Sequence, residues 1–119
     1  VEQGEKLFQS NCASCHGAGG RADGPVAATL SPRPANHTDA AYIGSLSDEY
    51  LYGVISRGGA AMGKSPLMAP WGGVVNEEGI RDLIAFIRKL SGTCATLVRY
   101  FGQSLVRQCF ASIALTTCR

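Results

Sequence analysis

Cys12-Ala13-Ser14-Cys15-His16 is the stretch of sequence that decides the fold. Its spacing is C-x-x-C-H, the pattern through which a polypeptide attaches haem covalently. Two thiols separated by two residues add to the two vinyl groups of haem as thioethers, and the adjacent imidazole supplies an axial nitrogen to the iron. The motif therefore predicts that Cys12 and Cys15 hold haem c and that His16 is an iron ligand.

Three other kinds of site share part of this pattern. A thioredoxin-like redox pair is also C-x-x-C, but the βαβ setting that it requires is not found in this sequence. A zinc site would need a second close pair of ligands, and the remaining cysteines are too widely spread to provide one. A disulfide between Cys12 and Cys15 is sterically poor if the segment is helical. Covalent haem attachment is the interpretation that uses all the fixed residues of the motif.

Length and composition restrict the function further. A chain of 119 residues predicts a single domain. No apolar run reaches the roughly 18 residues that a membrane span requires, so no membrane span is expected, and no signal-peptide pattern is found. The net charge is only +2, and Lys and Arg are not clustered, so the composition does not favour binding to nucleic acid.

Hydrophobic spacing predicts three helices. The first runs from Glu2 to about Asn11, and its glycine, Gly4, suggests close approach by another helix. A second follows the N-cap Ser47 and ends at Gly58-Gly59. The most regular one follows Asn76 and ends near Leu90, with an apolar stripe formed by Ile80, Leu83, Ile84, Ile87 and Leu90.

The segments between these helices are predicted to be loops. Gly17-Ala18-Gly19-Gly20 lacks the Lys-Ser/Thr of a phosphate-binding loop, and we expect it to wrap around a flat cofactor. Residues 31–45 are rich in Pro, Asn, Asp, Gly and Ser. His37, the only histidine besides His16, lies in this segment, where it could be a second axial ligand or, more often for such a residue, face solvent or bond a haem propionate.

The chain offers two methionines as a sixth ligand. A thioether is a soft ligand that favours ferrous iron and raises the reduction potential. Met68 lies in Leu67-Met68-Ala69-Pro70-Trp71, whereas Met62 lacks neighbouring Pro and Trp residues. Met68 is therefore the preferred ligand, with Met62, His37, a cysteine or an open site as the alternatives.

From Val1 to Gly92 the chain resembles a class I monohaem c-type cytochrome of the small bacterial exported kind. The resemblance is carried by a helix running into C-x-x-C-H, by Gly24-Pro25, by a Met close to a Pro, and by a closing helix with Leu-Ile-Ala-Phe. In this family Pro commonly follows the ligand Met directly, whereas here Ala69 intervenes.

The resemblance implies an all-α cytochrome c fold over residues 1–92, with the N- and C-terminal helices crossing around the haem. Leu83 and Phe86 would then meet Gly4 and Phe8. It also implies that Met68 is the sixth ligand, opposite His16. The carbonyl of Pro25 would accept a hydrogen bond from the ring of His16. Export to a compartment such as the periplasm, with the signal peptide already removed, is a further implication.

Residues 93–119 match nothing in that family. Their apolar residues have broadly helical spacing, which predicts an extra helix packed on the haem domain or on a partner. Cys94, Cys109 and Cys118 are odd in number, so an internal disulfide with one free thiol, or a bridge to another chain such as a homodimer, is expected. A third interpretation is an extension with no evolved role.

One covalent haem in a small domain, with no catalytic triad or carboxylate pair, favours one-electron transfer over enzymatic activity. The expected partners are a redox protein donor and an acceptor, meeting the chain through a small transient interface. Two alternatives remain: a gas-binding or peroxide-reacting haem with a labile sixth ligand, and a tightly held cytochrome subunit of a larger redox complex.

Overall fold

The structure is a computed structural model and describes residues 1–93, 95–97 and 106–108. The helices in these residues are α1 (Glu2–Asn11), α2 (Ala13–His16), α3 (Ala40–Ser45), α4 (Asp48–Arg57) and α5 (Glu77–Ser91), with short 3₁₀ turns at Ala27–Thr29 and Ala60–Met62. The N-terminal domain is therefore all-α, as predicted. None of the helices in the described residues combines the length and apolarity that crossing a bilayer needs.

The crossing of α1 with α5 organises the core. A Cβ atom on Gly4 would collide with the main-chain carbonyl of Asp82, so only glycine allows the two backbones to approach this closely. One helical turn further along α1, Phe8 is completely buried and its ring lies 5.2 Å from that of Phe86. The predicted contact of the first and last helices is confirmed.

Polar side chains cap the helices where the sequence predicts them. The Ser47 hydroxyl accepts a hydrogen bond from the Tyr50 N–H at 3.0 Å, and the Asn76 side chain accepts one from the Gly79 N–H at 2.8 Å. Helix α3 was not expected, because residues 31–45 have the composition of a loop. It forms because Asp39 caps the Tyr42 N–H at 3.0 Å and Ile43 is buried in the core.

Arg88 joins α5 to the two helices that precede it. Its guanidinium donates to the Asp48 carboxylate at 2.7 and 3.0 Å, and to the carbonyls of Ile43 and Leu46 at 2.6 Å each. The Arg88 side chain is only 4% exposed. The sequence places this cation suitably for the helix dipole, but its main contacts are with the start of α4 and the end of α3.

The described part of the C-terminal extension is not helical. β1 (Ala95–Leu97) and β2 (Val106–Gln108) pair antiparallel, with Thr96 opposite Arg107. The predicted extra helix is therefore wrong for these six residues, where the β-branched Thr96 and Val106 favour an extended backbone. The predictions for Cys94, Cys109 and Cys118, and for a homodimer or partner contact through the extension, fall largely outside the described residues.

Candidate functional site

A cavity of about 700 Å³ opens between α2, α4 and the loop that precedes α5. Its volume lies within the range of about 300–1,000 Å³ typical of ligand and cofactor sites. Cys12, Cys15 and His16 line it, and so does Met68. The helices contribute most of the apolar wall, including Ile43, Leu46, Leu51, Val54, Ile55, Leu83 and Ile87.

Helix geometry places the two thiols. Cys12 ends α1, with its N–H bonded to the Phe8 carbonyl at 2.8 Å, and α2 begins at the next residue. Both cysteines are half-buried and neither forms a disulfide. Burial, with a smaller contribution from Cys15, raises the pKa of Cys12 to about 11, so this side chain is a neutral thiol near pH 7 in the protein without haem.

The imidazole of His16 is fixed by a main-chain contact. Its Nδ1 lies 3.0 Å from the Ala35 carbonyl oxygen, so Nδ1 carries the proton and donates to that carbonyl. Burial lowers the pKa of His16, and the contact with Ala35 opposes this effect. The ring is therefore neutral near pH 7, with Nε2 left as the nitrogen that can bind a metal.

Pro25 does not have the predicted role. It is exposed and does not line the cavity, and Ala35 provides the carbonyl for His16 instead. The reason is local packing: the Val26 N–H bonds to the Ser14 carbonyl at 3.2 Å, which holds this segment against the backbone of α2, away from the imidazole.

The glycine-rich loop also lies away from the cavity. None of residues 17–25 lines it, and the expectation that this loop wraps a cofactor stays a prediction. Gly20 has a φ of 73° and packs between two other side chains: a Cβ there would approach Leu90 Cδ1 to 2.8 Å and His37 Cβ to 3.1 Å.

His37 is buried, contrary to the expectation that it faces solvent. It is 8% exposed, and its ring stacks on that of His16 with centroids 4.2 Å apart and planes inclined by 18°. Rings stacked at this distance leave no room for a haem between them, so this arrangement does not favour His37 as a second axial ligand opposite His16. The composition of its loop gave no indication of this burial.

The two methionines have different surroundings. Met68 lines the cavity, and its main chain accepts a hydrogen bond from the Gly59 N–H at 2.9 Å. The Sδ of Met62 packs against α4, 3.2 Å from the position that a Cβ on Gly53 would occupy, and Met62 does not line the cavity. Of the two methionines, Met68 is the one that lines the same cavity as His16.

The chemistry of the cavity fits haem. It brings together two thiols at the C-x-x spacing, a neutral imidazole and a thioether, within largely apolar walls. The charged side chains that line it are Arg33, Asp39 and Lys64. In the part of the chain that the structure describes, no three His, Cys, Asp or Glu side chains form a group that could hold a metal ion.

An all-α domain with this donor set belongs to the class of small haem proteins. The family model described as Cytochrome c matches residues 1–91, and the chain is a member of the cytochrome c family. It therefore carries covalently bound haem c, the cofactor with which this family serves electron transport.

Two proteins whose names describe parts of redox complexes are similar to this chain. It is 29% identical over 90 residues to the Cbb3-type cytochrome c oxidase subunit FixP of Bradyrhizobium diazoefficiens, covering 76% of this chain and 27% of that protein. It also resembles a solved chain of the reducing HAO-like protein complex of Kuenenia stuttgartiensis, with a TM-score of 0.60 and 26% identity over 76% of this chain and 42% of that one. The chain thus spans well under half the length of either relative.

Proposed function

We propose that the chain is a one-electron carrier in which Cys12 and Cys15 attach the haem and His16 and Met68 are the two axial ligands. The observation that supports this most directly is that one largely apolar cavity is lined by all four side chains. When bound, haem c supplies an iron that accepts and releases a single electron. No reaction on a substrate is proposed.

The role of His16 and Met68 would be to hold the iron with side chains whose positions are fixed by hydrogen bonds. The hydrogen bond from His16 Nδ1 to Ala35 fixes the imidazole, and the one from Gly59 to the Met68 carbonyl fixes the thioether's loop. Ligands held in this way would move little when the iron changes oxidation state, so little reorganisation would oppose electron transfer. A soft thioether also favours the ferrous state.

The apolar wall would keep water away from the iron and lower the local dielectric constant. Leu51 and Ile55 from α4, and Ile87 from α5, are among the side chains that form it. Burial of this kind is one of the ways in which a protein sets a haem potential.

The partners would be a redox protein donor and an acceptor that dock transiently near the cavity, and the location would be the periplasm or another exported compartment. Membership of the cytochrome c family supports both parts of this proposal.

A subunit role is the second candidate, because both relatives are parts of redox complexes by their names. Size-exclusion chromatography of the purified chain separates the two: a clean monomer under reducing and non-reducing conditions favours the carrier.

Optical and paramagnetic-resonance spectra of both oxidation states test the ligands. We expect a low-spin His/Met signature and no binding of carbon monoxide by the ferrous protein. Met68→Ala should remove that signature and allow carbon monoxide to bind. Met62→Ala is the matched control, because Met62 packs against α4 outside the cavity, and it should leave the spectra unchanged.

The opposite pattern would overturn the assignment. Loss of the signature in Met62→Ala with retention in Met68→Ala would show that the wrong methionine was chosen. Ready carbon monoxide binding by the unsubstituted protein would favour a gas-binding or peroxide-reacting haem instead.

A further inference from the structure

His37 is a buried histidine that the proposed electron transfer does not use. It is 8% exposed, and its Nδ1 has no hydrogen-bond partner among the described residues. A buried polar nitrogen without a partner is destabilising, so an apolar side chain would be the more stable choice if this residue only filled space. Its surroundings point to another role.

The ring of His37 covers one face of the His16 ring. The two centroids are 4.2 Å apart and the planes are inclined by only 18°, which is the geometry of a parallel stack. Nδ1 of His16 is already fixed in the plane of its ring by the Ala35 carbonyl at 3.0 Å. One contact therefore restrains His16 along an edge and the other restrains it across a face.

His37 is itself held firmly. Its N–H donates to the Gly20 carbonyl at 2.7 Å, and the backbone of Gly20 packs directly against its Cβ. Its ring meets the completely buried Phe8 edge to face, with centroids 5.6 Å apart. Because Phe8 in turn packs on Phe86, the stack on His16 is anchored in the crossing of α1 with α5.

We propose that His37 is a positioning residue that fixes the plane of the His16 imidazole by stacking on its face. This inference rests on the proposed role of His16 as the axial ligand. The hydrogen bond to Ala35 alone leaves His16 able to tilt out of its plane about that contact, and the flat ring of His37 prevents the tilt. The orientation of the ligand plane about the iron–nitrogen bond would then be set by loop 34–37.

Three substitutions in the haem-loaded full chain separate stacking from space filling. His37→Phe retains a flat aromatic face and removes the nitrogen atoms, His37→Leu retains bulk without a flat face, and His37→Ala removes both. The g values and linewidths of the low-spin ferric signal report the orientation of the axial imidazole plane and its spread. Urea unfolding of the same samples measures packing separately.

We expect shifted and broadened g features in His37→Leu and His37→Ala, and a spectrum close to that of the unsubstituted protein in His37→Phe. Unchanged spectra in His37→Leu, or a His37→Phe spectrum displaced as far as that of His37→Leu, would overturn the proposal. If His37→Ala fails to fold, the Leu and Phe variants decide. A failure of all three to retain haem would also overturn it, because Phe keeps the stacking face.

The unsubstituted protein distinguishes this proposal from the proposed function. A spectrum without His/Met ligation would contradict the assignment of Met68. The comparison among the His37 variants would still report on His16 wherever another strong-field sixth ligand keeps the ferric haem low-spin, because all the variants then share that ligand and differ only at residue 37.

Discussion

The side of the cavity that carries His16 is built from packed side chains, whereas the side that carries Met68 is a loop attached by its main chain. Behind His16 lie the rings of His37, Phe8 and Phe86, all of them buried. The loop around Met68 is attached by main-chain hydrogen bonds to α4 and to Gly59, which lies just after that helix. We expect substitutions on the His16 side to lower the stability of the whole domain. Substitutions on the Met68 side should disturb the ligand loop without unfolding the domain.

The main-chain anchors on the Met68 side depend on two glycines. The Gly59 N–H donates to the Met68 carbonyl, and the Trp71 N–H donates to the Ile55 carbonyl, both at 2.9 Å. A Cβ on Gly58 would lie 3.0 Å from the Met68 carbonyl oxygen, and a Cβ on Gly59 would collide with the Ser65 carbonyl. These glycines end α4, and they also allow the ligand loop to lie against it.

The largest effect should come from Arg88→Met, which removes the cation that joins α5 to α3 and α4. It leaves the Asp48 carboxylate, 20% exposed, without its partner, and removes donors from the carbonyls of Ile43 and Leu46. We expect the free energy of unfolding to fall by about 3–5 kcal/mol. Urea denaturation of the haem-loaded protein measures it.

Arg81→Met is the matched control, because this arginine pairs with Glu77 in an ion pair whose side chains are 66% and 68% exposed. Its cost should be about 0–1 kcal/mol. Equal losses in the two variants would contradict the structural role assigned to the buried pair.

Gly4→Ala should produce the next largest effect, by forcing α1 away from the Asp82 carbonyl. Overpacking of this kind costs about 1–3 kcal/mol. The displacement should also reach His16 through Phe8 and alter its ferric spectrum. Gly19→Ala is the control, since nothing lies within 4 Å of the added methyl group. Should Gly4→Ala be no less stable than Gly19→Ala in thermal unfolding, the close crossing would be disproved.

Gly59→Ala should disturb the loop that carries Met68 and leave the packing of the helices unchanged. The added Cβ would collide with the Ser65 carbonyl and lie 3.1 Å from Met68 Cβ, so the loop must move. We expect a stability loss of about 1–2 kcal/mol together with partial loss of the His/Met spectrum. Gly73→Ala, with nothing within 4 Å, should retain that spectrum. An unaltered spectrum in Gly59→Ala would show that the loop does not depend on this glycine.

Asp39→Ala should have the smallest effect, because it removes one helix cap from α3 and no core contact. The Tyr42 N–H loses its acceptor, which costs about 1 kcal/mol. Asp39→Asn should restore most of the stability, since asparagine caps equally well. The thermal midpoint measures both variants. No recovery in Asp39→Asn would indicate that the charge of Asp39 matters rather than its cap.

The sequence predicts most of what depends on local patterns. C-x-x-C-H and the context of Met68 are contiguous motifs, and Ser47 and Asn76 are caps that act within one helical turn. The structure confirms the two caps and brings the motif and Met68 to one cavity. The close helix contact at Gly4 could be predicted as well, because a glycine within a helix usually marks close approach by another backbone.

The features that the sequence did not predict depend on distant contacts. Ala35 contacts His16 through a main-chain carbonyl, which leaves no side-chain signal at all. His37 lies among residues with loop composition, and only the tertiary fold buries it against Phe8 and His16. The position of Arg88 in the last turn of α5 suits the helix dipole, but its partners lie about 40 residues earlier, where the sequence gives no signal for them. In the extension, apolar spacing favoured a helix over 95–97 and 106–108, where strand pairing prevails.

The close crossing at Gly4 also has a consequence for the order of events during folding. The residues that bury α1 belong to Glu77–Ser91, at the far end of the domain. Contacts between residues so distant in sequence form later in folding than local ones, because the intervening chain must first be ordered. Until α5 has docked, Cys12 and Cys15 would lack the helix that packs behind α1, and both thiols would be more accessible to covalent attachment of haem than in the folded domain.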